Sequence, residues 1–322
     1  MVATLPQVSD WSGTWADSAA MLASTSPLPA RWSAGMFDHI DAKTRFKLML
    51  GRWLFPRASA RWLRFVQHSD ILADAIHTLP VVAGKVYRPY LSRHLRCAER
   101  VDVLIEHYDF LSRAGLGELV RRAALGDVAL ATLTCKSGAL AHVLLSAARD
   151  GHREGELCLK LRYQDETIFA ASFVLIASIN SKGGGQPALM VGRLQGSSCP
   201  AARDLVRTAT RDLFGARPGT LLIALARHLA DRLGCARVML VSNHNRIAIN
   251  LWRRWHISAD YDQLWRELGA TQRADGNFEI APLAAPDIDI ESVPSKKRAE
   301  ARRKLALLEN LFASAGAHFS VR

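Results

Sequence analysis

The chain has few cysteines, and no two of them are closely spaced. Its 322 residues include five cysteines, at positions 97, 135, 158, 199 and 235. An odd, dispersed set argues against the disulfide framework of small secreted domains and favours a reducing compartment. We therefore interpret each cysteine as a small buried hydrophobic residue.

Long hydrophobic runs are also lacking. The longest run, FAASFVLIASI from Phe169, is too short to span a bilayer. The N-terminal residues show no basic segment followed by an apolar one, so no secretory signal is recognised. We predict a cytoplasmic protein, and leave open a peripheral position at the inner membrane.

Several motifs that would name a chemistry are missing. The sequence has no GK[ST] phosphate loop, no GxGxxG fingerprint, no GxSxG elbow and no HExxH or similar metal-ligand spacing. No helix-turn-helix, zinc-finger or RNP signature occurs either, which disfavours nucleic acid as a partner. We expect no metal cofactor.

A large apolar fraction and a strong positive charge are present. Hydrophobic residues make up 49% of the chain, enough for one large domain or two ordinary ones with a real core. The formal net charge of +12 favours an anionic partner, either a phosphate-bearing ligand or an anionic lipid surface. A basic protein without such a partner is the alternative.

The first third of the chain after residue 38 has helical periodicity. The segment 41–56 combines Phe46 and Trp53 with lysines and arginines. Such a helix can lie on an anionic membrane, but packing on the protein's own core is the favoured interpretation. His107 falls within an apolar stripe, where a histidine is more often part of the core than catalytic.

The middle of the chain has strand-like rather than helical periodicity. Five strand-like runs with short links follow residue 126, which predicts an antiparallel meander. A helix from Gly219 and then the strand RVMLVS predict one parallel pair made by a helical crossover. The predicted fold class is α+β, a mostly antiparallel sheet with one helix crossover, preceded by a helical N-terminal region.

Two glycine-bearing turns precede helices in this region. Backbone N–H groups at a helix start can hold a phosphate, and nearby arginines would add charge. Ordinary turn chemistry is the alternative. The candidate phosphate-binding residues are Arg193, Gln195, Gly196 and Ser197 in the first turn and Arg217, Gly219 and Thr220 in the second.

Polar residues follow the crossover strand. Ser242, Asn243 and His244 lie just beyond it, where sheets with parallel strands often form sites. The alternative is that Asn243 or Asn245 caps the helix of IAINLWRRW.

The order of several segments resembles the VirK/YbjX family of bacterial proteins. These segments are HYDFL, GEL, GRLQG, VMLVSN, YDQLWRELGA, DGNFEI and PSKKRAEARRKLALL. The resemblance covers roughly residues 40–312. It implies a virulence-associated protein of Gram-negative bacteria, linked with envelope phenotypes and resistance to cationic peptides. The resemblance supplies no reaction.

The stretch GTLLIALARHLADRLGCARVMLVSNHNRIA is similar to the core of the GCN5-related N-acyltransferases. That family binds the pyrophosphate of acyl-CoA at a Q/R-x-x-G-x-G/A turn, which Arg193 and Gly196 match and Ser198 does not. The similarity implies that an amine attacks a thioester between splayed strands. From their positions after the strand, His244 is the candidate base and Tyr261 the candidate acid for this chemistry, and Ser242 and Asn243 are candidate cofactor-binding residues.

Two functions therefore stand side by side. The first is an N-acyltransferase that moves an acyl group from acyl-CoA or an acyl carrier protein to an amine. The second is a non-catalytic, envelope-associated accessory protein that binds anionic lipid or a protein partner. The predicted organisation is a mobile leader (1–38), a helical region packed on the core (39–125), an acyltransferase-like domain (126–290) and a basic helix and tail (291–322).

Overall fold

The computed structural model describes residues 42–72, 84–147, 153–176, 186–197, 201–247 and 260–320. The predicted leader, the glycine run at 183–185 and most of IAINLWRRW lie outside these ranges. The helices are α1 (Ala42–Leu54), α2 (Pro56–His68), α3 (Cys97–Arg113), α4 (Gly117–Leu125), α5 (Ala202–Asp212), α6 (Pro218–Arg232), α7 (Tyr261–Glu267) and α8 (Ser295–Ala317).

One sheet organises the described residues. Its order is β1-β2-β3-β4-β5-β6-β8-β7. The strands are β1 (Val128–Thr134), β2 (Leu140–Ala147), β3 (Leu157–Tyr163), β4 (Glu166–Ile176), β5 (Ala188–Gly196), β6 (Arg237–Leu240), β7 (Thr271–Gln272) and β8 (Phe278–Ile280).

Strands β1 to β5 form an antiparallel meander because short links join them. The tightest link is the two-residue turn at Gln164 and Asp165, whose φ angles of 49° and 62° suit a hairpin. Strand β6 instead pairs parallel with β5, since helices α5 and α6 carry the chain back across the sheet. The predicted fold class is confirmed.

Helix α6 buries one face against the sheet. Its leucines at i, i+4 and i+8 are all buried, and Pro218 begins it where a missing N–H costs nothing. Gly234 follows its end with a φ of 66°, as the sequence predicts. The buried leucines at this spacing are Leu221, Leu225 and Leu229.

The core also encloses a charged group. The Glu156 side chain is 1% exposed, yet it accepts hydrogen bonds from Lys85 Nζ and the Tyr90 hydroxyl, both at 2.6 Å, and from the Tyr108 hydroxyl. Burial alone would raise the pKa of Glu156, but Lys85, His107 and the Tyr108 hydroxyl together hold it below its usual value. We call Glu156, Lys85, Tyr90 and Tyr108 the Glu156 network. It joins α3 and the 3-10 turn at Lys85–Tyr87 to the start of β3.

His107 and the cysteines follow their favoured interpretations. His107 is fully buried beside the Glu156 network, and its Nδ1 accepts the Leu175 N–H at 3.0 Å. Four of the cysteines are free and buried, and Cys199 lies outside the described residues.

Candidate functional site

The two parallel strands separate at one end. Strands β5 and β6 pair from Ala188 to Val191, and the Val241 N–H adds a hydrogen bond to the Val191 carbonyl. Beyond that point β5 continues to Gly196 paired with β4 but not with β6. A bulge in the β4–β5 ladder falls at Gly192, where the strand leaves its partner. The divergence leaves a gap between β5 and the end of β6.

Glycines let a loop pass directly over this bulge. A Cβ on Gly192 would lie 2.1 Å from the Glu154 carbonyl oxygen, and one on Gly155 would lie 2.5 Å from the Phe173 nitrogen. Neither position has room for a side chain. Backbone contact therefore places Glu154 beside the bulge.

Glu154 is a largely buried carboxylate, and burial disfavours its charged form. Its side chain is 16% exposed, and one carboxylate oxygen lies 3.4 Å from Arg193 Nε. Burial raises the pKa of Glu154, although Arg193, Arg246 and Arg153 oppose that shift. A carboxylate with a raised pKa is suited to accept a proton.

Helix α7 spans the gap between the strands. The Tyr261 hydroxyl accepts the Leu194 N–H at 2.8 Å and donates to the Leu194 carbonyl, so it occupies both polar groups of that β5 residue. Trp265 Nε1 donates to the Val241 carbonyl at 3.0 Å, just past β6. The candidate acid therefore sits at the gap, and burial raises its pKa. Its hydroxyl already has two partners there.

Asn243 contacts the start of helix α7, whose N-cap residue is Asp260. Its N–H donates to the Asp262 carboxylate and its side-chain amide to Asp260, both at 2.7 Å, while its Oδ1 accepts the Tyr261 N–H. Ser242 is buried and accepts the Asn245 N–H at 3.3 Å. Asn243 thus satisfies one N–H in the first turn of α7, while its predicted role as a cap of IAINLWRRW concerns residues outside the described ranges.

A group of cationic side chains surrounds the gap. The Arg246 guanidinium lies 3.8 Å from the centre of the Tyr261 ring. Exposed His244 lies with its Nε2 2.6 Å from Arg93 Nη2 and stacks on His94 at 5.5 Å. We call Arg93, Arg153, Arg193 and Arg246 the basic rim. Its charge favours an anionic ligand.

The predicted phosphate turns lie at the same end of the sheet. Cβ atoms on Gly196 and Gly219 would lie 3.2 Å and 3.0 Å from the ring of Phe169, so both glycines flank one side chain. Half-buried Thr220 belongs to the first turn of α6. Exposed Arg217 precedes that helix and lies 4.0 Å from Glu267 of α7.

The first turn differs from its prediction in one respect. Arg193 and Gln195 belong to β5, which runs to Gly196, and Arg193 Nε donates to Gln195 Oε1 at 2.8 Å. The Ser197 N–H donates to the Ile168 carbonyl and so extends the pairing with β4. The strand keeps these residues extended because β4 continues beside them.

Sequence reasoning missed Glu154, Arg93 and Arg246. Glu154 lies in RDGHREG, which reads only as a charged turn before β3. The signal that could have found it is the pair of glycines at 155 and 192, but their proximity depends on the β4–β5 bulge. Within the described residues, no group of three or more metal-ligating side chains is placed to hold a metal ion.

A family model described as "Protein of unknown function (DUF535)" matches residues 39–316. The chain belongs to the DUF535 family. It is 25% identical to the uncharacterized protein YbjX of Escherichia coli K12 over 269 residues, which cover 82% of this chain and 80% of that one. A Haemophilus influenzae protein is 24% identical over 275 residues, covering 84% and 87%. The predicted relationship to the VirK/YbjX family is confirmed.

Solved structures give a more distant likeness. A cAMP-binding acyltransferase from Mycobacterium smegmatis matches with a TM-score of 0.29 and 12% identity. The match covers 68% of this chain and 63% of that one, so the chain spans less than two thirds of that protein's length. A point mutant of the same acyltransferase matches with a TM-score of 0.28 and 13% identity over 67% of this chain and 63% of that one. A likeness of this size carries no argument about activity.

Proposed function

We propose that this DUF535 protein transfers an acyl group from a thioester donor, acyl-CoA or an acyl carrier protein, to an amine. The observation that carries the proposal is the separation of β5 and β6 at the Gly192 bulge, with Glu154 held against that bulge. Diverging strands expose backbone N–H and carbonyl groups that can bind an amide-containing chain and a thioester oxygen. The carboxylate supplies the proton acceptor.

The reaction needs one base and one proton donor. The amine nitrogen attacks the thioester carbon, a C–N bond forms, and the C–S bond breaks. Glu154 takes the proton that the amine loses, and the thiolate leaving group gains a proton, for which Tyr261 is the candidate donor. His244 remains the alternative base, since it lies on the same loop as Arg246 and is more exposed than Glu154.

The donor's phosphates have a complementary surface. Both proposed donors are anionic, and the basic rim and the start of α6 lie at the same end of the sheet as the gap. Backbone N–H groups of Gly219 and Thr220 open helix α6, where its dipole favours negative charge. The Arg217 side chain would add a positive charge beside these N–H groups.

Tyr261 sets a condition on donor binding. Its hydroxyl holds both polar groups of Leu194, so a donor that pairs with β5 must displace it. Replacing Tyr261 with Phe frees those groups and removes the candidate acid. We therefore expect tighter donor binding with slower turnover, a combination that a simple loss of packing would not give.

The experiment measures donor binding and thiol release separately. The full chain is heated with CoA, acetyl-CoA, a long-chain acyl-CoA or an acylated carrier protein, and thiol release is then followed with an amine present. A donor that binds the folded state raises the melting temperature. Tyr163→Phe is the matched control, because it also removes a buried tyrosine hydroxyl. That hydroxyl donates to Asp212 of helix α5 at 2.8 Å and not to the gap at α7. If none of the donors raises the melting temperature, the proposal is contradicted.

One observation favours a second candidate. Helix α7 fills the gap through Tyr261 and Trp265. If α7 keeps the gap closed, the protein would be a non-catalytic, envelope-associated accessory protein. This candidate would be favoured if no donor raises the melting temperature of the wild-type chain or of Tyr261→Phe.

A further inference from the structure

Helix α1 exposes large apolar side chains. Phe46, Met49 and Trp53 are 65%, 67% and 77% exposed, and Leu50 is also exposed. Their spacing of three, four and seven residues places them on one face of the helix. Large side chains grouped in this way mark an interaction surface.

The opposite face of α1 is fixed to the protein. Leu48 is buried, and a Cβ on Gly51 would lie 2.5 Å from the ring of Tyr87. Only a residue without a side chain allows this approach, so the glycine side of α1 faces Tyr87. A cavity of about 220 Å³ adjoins it, with Leu54, Phe55 and Tyr87 in its lining.

The charge around this face has one sign. Residues 42–68, which form α1 and α2, contain no aspartate or glutamate. Lys47 and Arg57 are exposed there, while Arg61 pairs with Asp102. The basic residues of the two helices are Lys43, Arg45, Lys47, Arg52, Arg57, Arg61 and Arg64.

We propose that α1 lies in the headgroup layer of an anionic membrane, with Phe46, Met49 and Trp53 inserted. Aromatic and aliphatic side chains enter the boundary between headgroups and acyl chains, and basic residues near the surface strengthen binding to anionic lipid. No helix within the described ranges is long and apolar enough to cross a bilayer. The proposal does not depend on acyl transfer.

Vesicle flotation of the full chain tests this docking. We expect recovery with vesicles of phosphatidylcholine and phosphatidylglycerol, and much less with phosphatidylcholine alone. Phe46→Ser with Trp53→Ser should lower recovery about tenfold, because the inserted apolar area is lost. Lys47→Glu with Arg57→Glu should lower it on anionic vesicles alone. The matched control is Leu125→Ser with Leu140→Ser, which removes exposed apolar side chains outside α1.

The other occupants of this face have distinct signatures. A wild-type chain that stays off anionic vesicles, while Phe46→Ser with Trp53→Ser lowers its melting temperature, would show that another segment of the chain covers α1. A chain that stays off vesicles with an unchanged melting temperature in that variant would point to a protein partner. Either result overturns the proposal, as does equal recovery with both kinds of vesicle or an equal loss in the control.

Discussion

Glu154 and Glu156 stand two residues apart, and their surroundings are opposite. Glu156 is the more buried, but it accepts hydrogen bonds from a lysine and two tyrosine hydroxyls, and Lys85, His107 and Tyr108 lower its pKa. Glu154 keeps some exposure and has Arg193 at 3.4 Å, and its pKa is raised. Burial alone therefore does not decide the state of a carboxylate, because the number of donors that face it matters more.

The comparison separates a structural carboxylate from a reactive one. The Glu156 network connects the helical region to the sheet, and its three hydrogen-bond donors stabilise the ionised carboxylate. Burial removes water from Glu154 and raises its pKa, although Arg193, Arg246 and Arg153 oppose that shift. We infer that the first glutamate maintains the fold and that the second is available for chemistry.

The largest expected effect is on stability, from Glu156→Gln. This change leaves the Lys85 ammonium buried without its counter-charge, so the free energy of unfolding should fall by about 3 kcal/mol. Urea denaturation measures it. Adding Lys85→Met should restore part of the loss, since no buried charge then remains. A loss below about 1 kcal/mol would contradict the structural role.

The second effect is on turnover, from Glu154→Gln. Removing the proton acceptor should lower turnover at least about a hundredfold, while the melting temperature at neutral pH holds or rises. Stability is expected to hold because a raised pKa means that folding disfavours the charged carboxylate.

The pH profile and a control complete that test. The wild-type rate should rise with pH through the raised pKa of Glu154, and Glu154→Gln should lose this dependence. Glu118→Gln, on the exposed side of α4, is the control and should leave the rate unchanged. Normal turnover in Glu154→Gln, with a large loss in His244→Gln, would assign the base to His244.

The smallest effect concerns His107, the neighbour of the Glu156 network. Burial lowers the pKa of His107 to about 4, so the unfolded chain binds a proton more readily than the folded one. Stability should therefore fall as the pH drops below about 6.5, by about 1 to 2 kcal/mol between pH 7 and pH 5. Burial outweighs the charges that face His107, since Glu156 raises its pKa and Lys85 lowers it.

The matched variant is His107→Asn, whose side-chain oxygen can still accept the Leu175 N–H. It should be less stable at pH 7 and should lack the slope between pH 7 and pH 5. Denaturation at both pH values measures this. Parallel slopes in the two proteins would show that another group carries the dependence.

Strand and helix patterns made most of the fold predictable. The alternation in β3 and the leucine spacing of α6 are local, so short windows contain the signal. The meander followed from short links, and the parallel pair from the length of the crossover. The domain limits and the leader remain predictions.

The site was only partly predictable because its geometry is not local. Asn243, Tyr261 and Arg193 were singled out from their positions near strand ends, and the structure brings them to one gap. Glu154 could not be found in the same way, since its environment depends on a bulge 38 residues further along the chain. Nor does any local pattern indicate that the Tyr261 hydroxyl binds Leu194.

The order of the sheet has a kinetic consequence. Strands β1 to β5 are neighbours in both sequence and space, so their pairing closes only short loops. The gap instead needs β6, the loop at Asn243 and helix α7 to return after two intervening helices. The candidate site should therefore assemble late in folding and exchange its amide hydrogens sooner than the meander does.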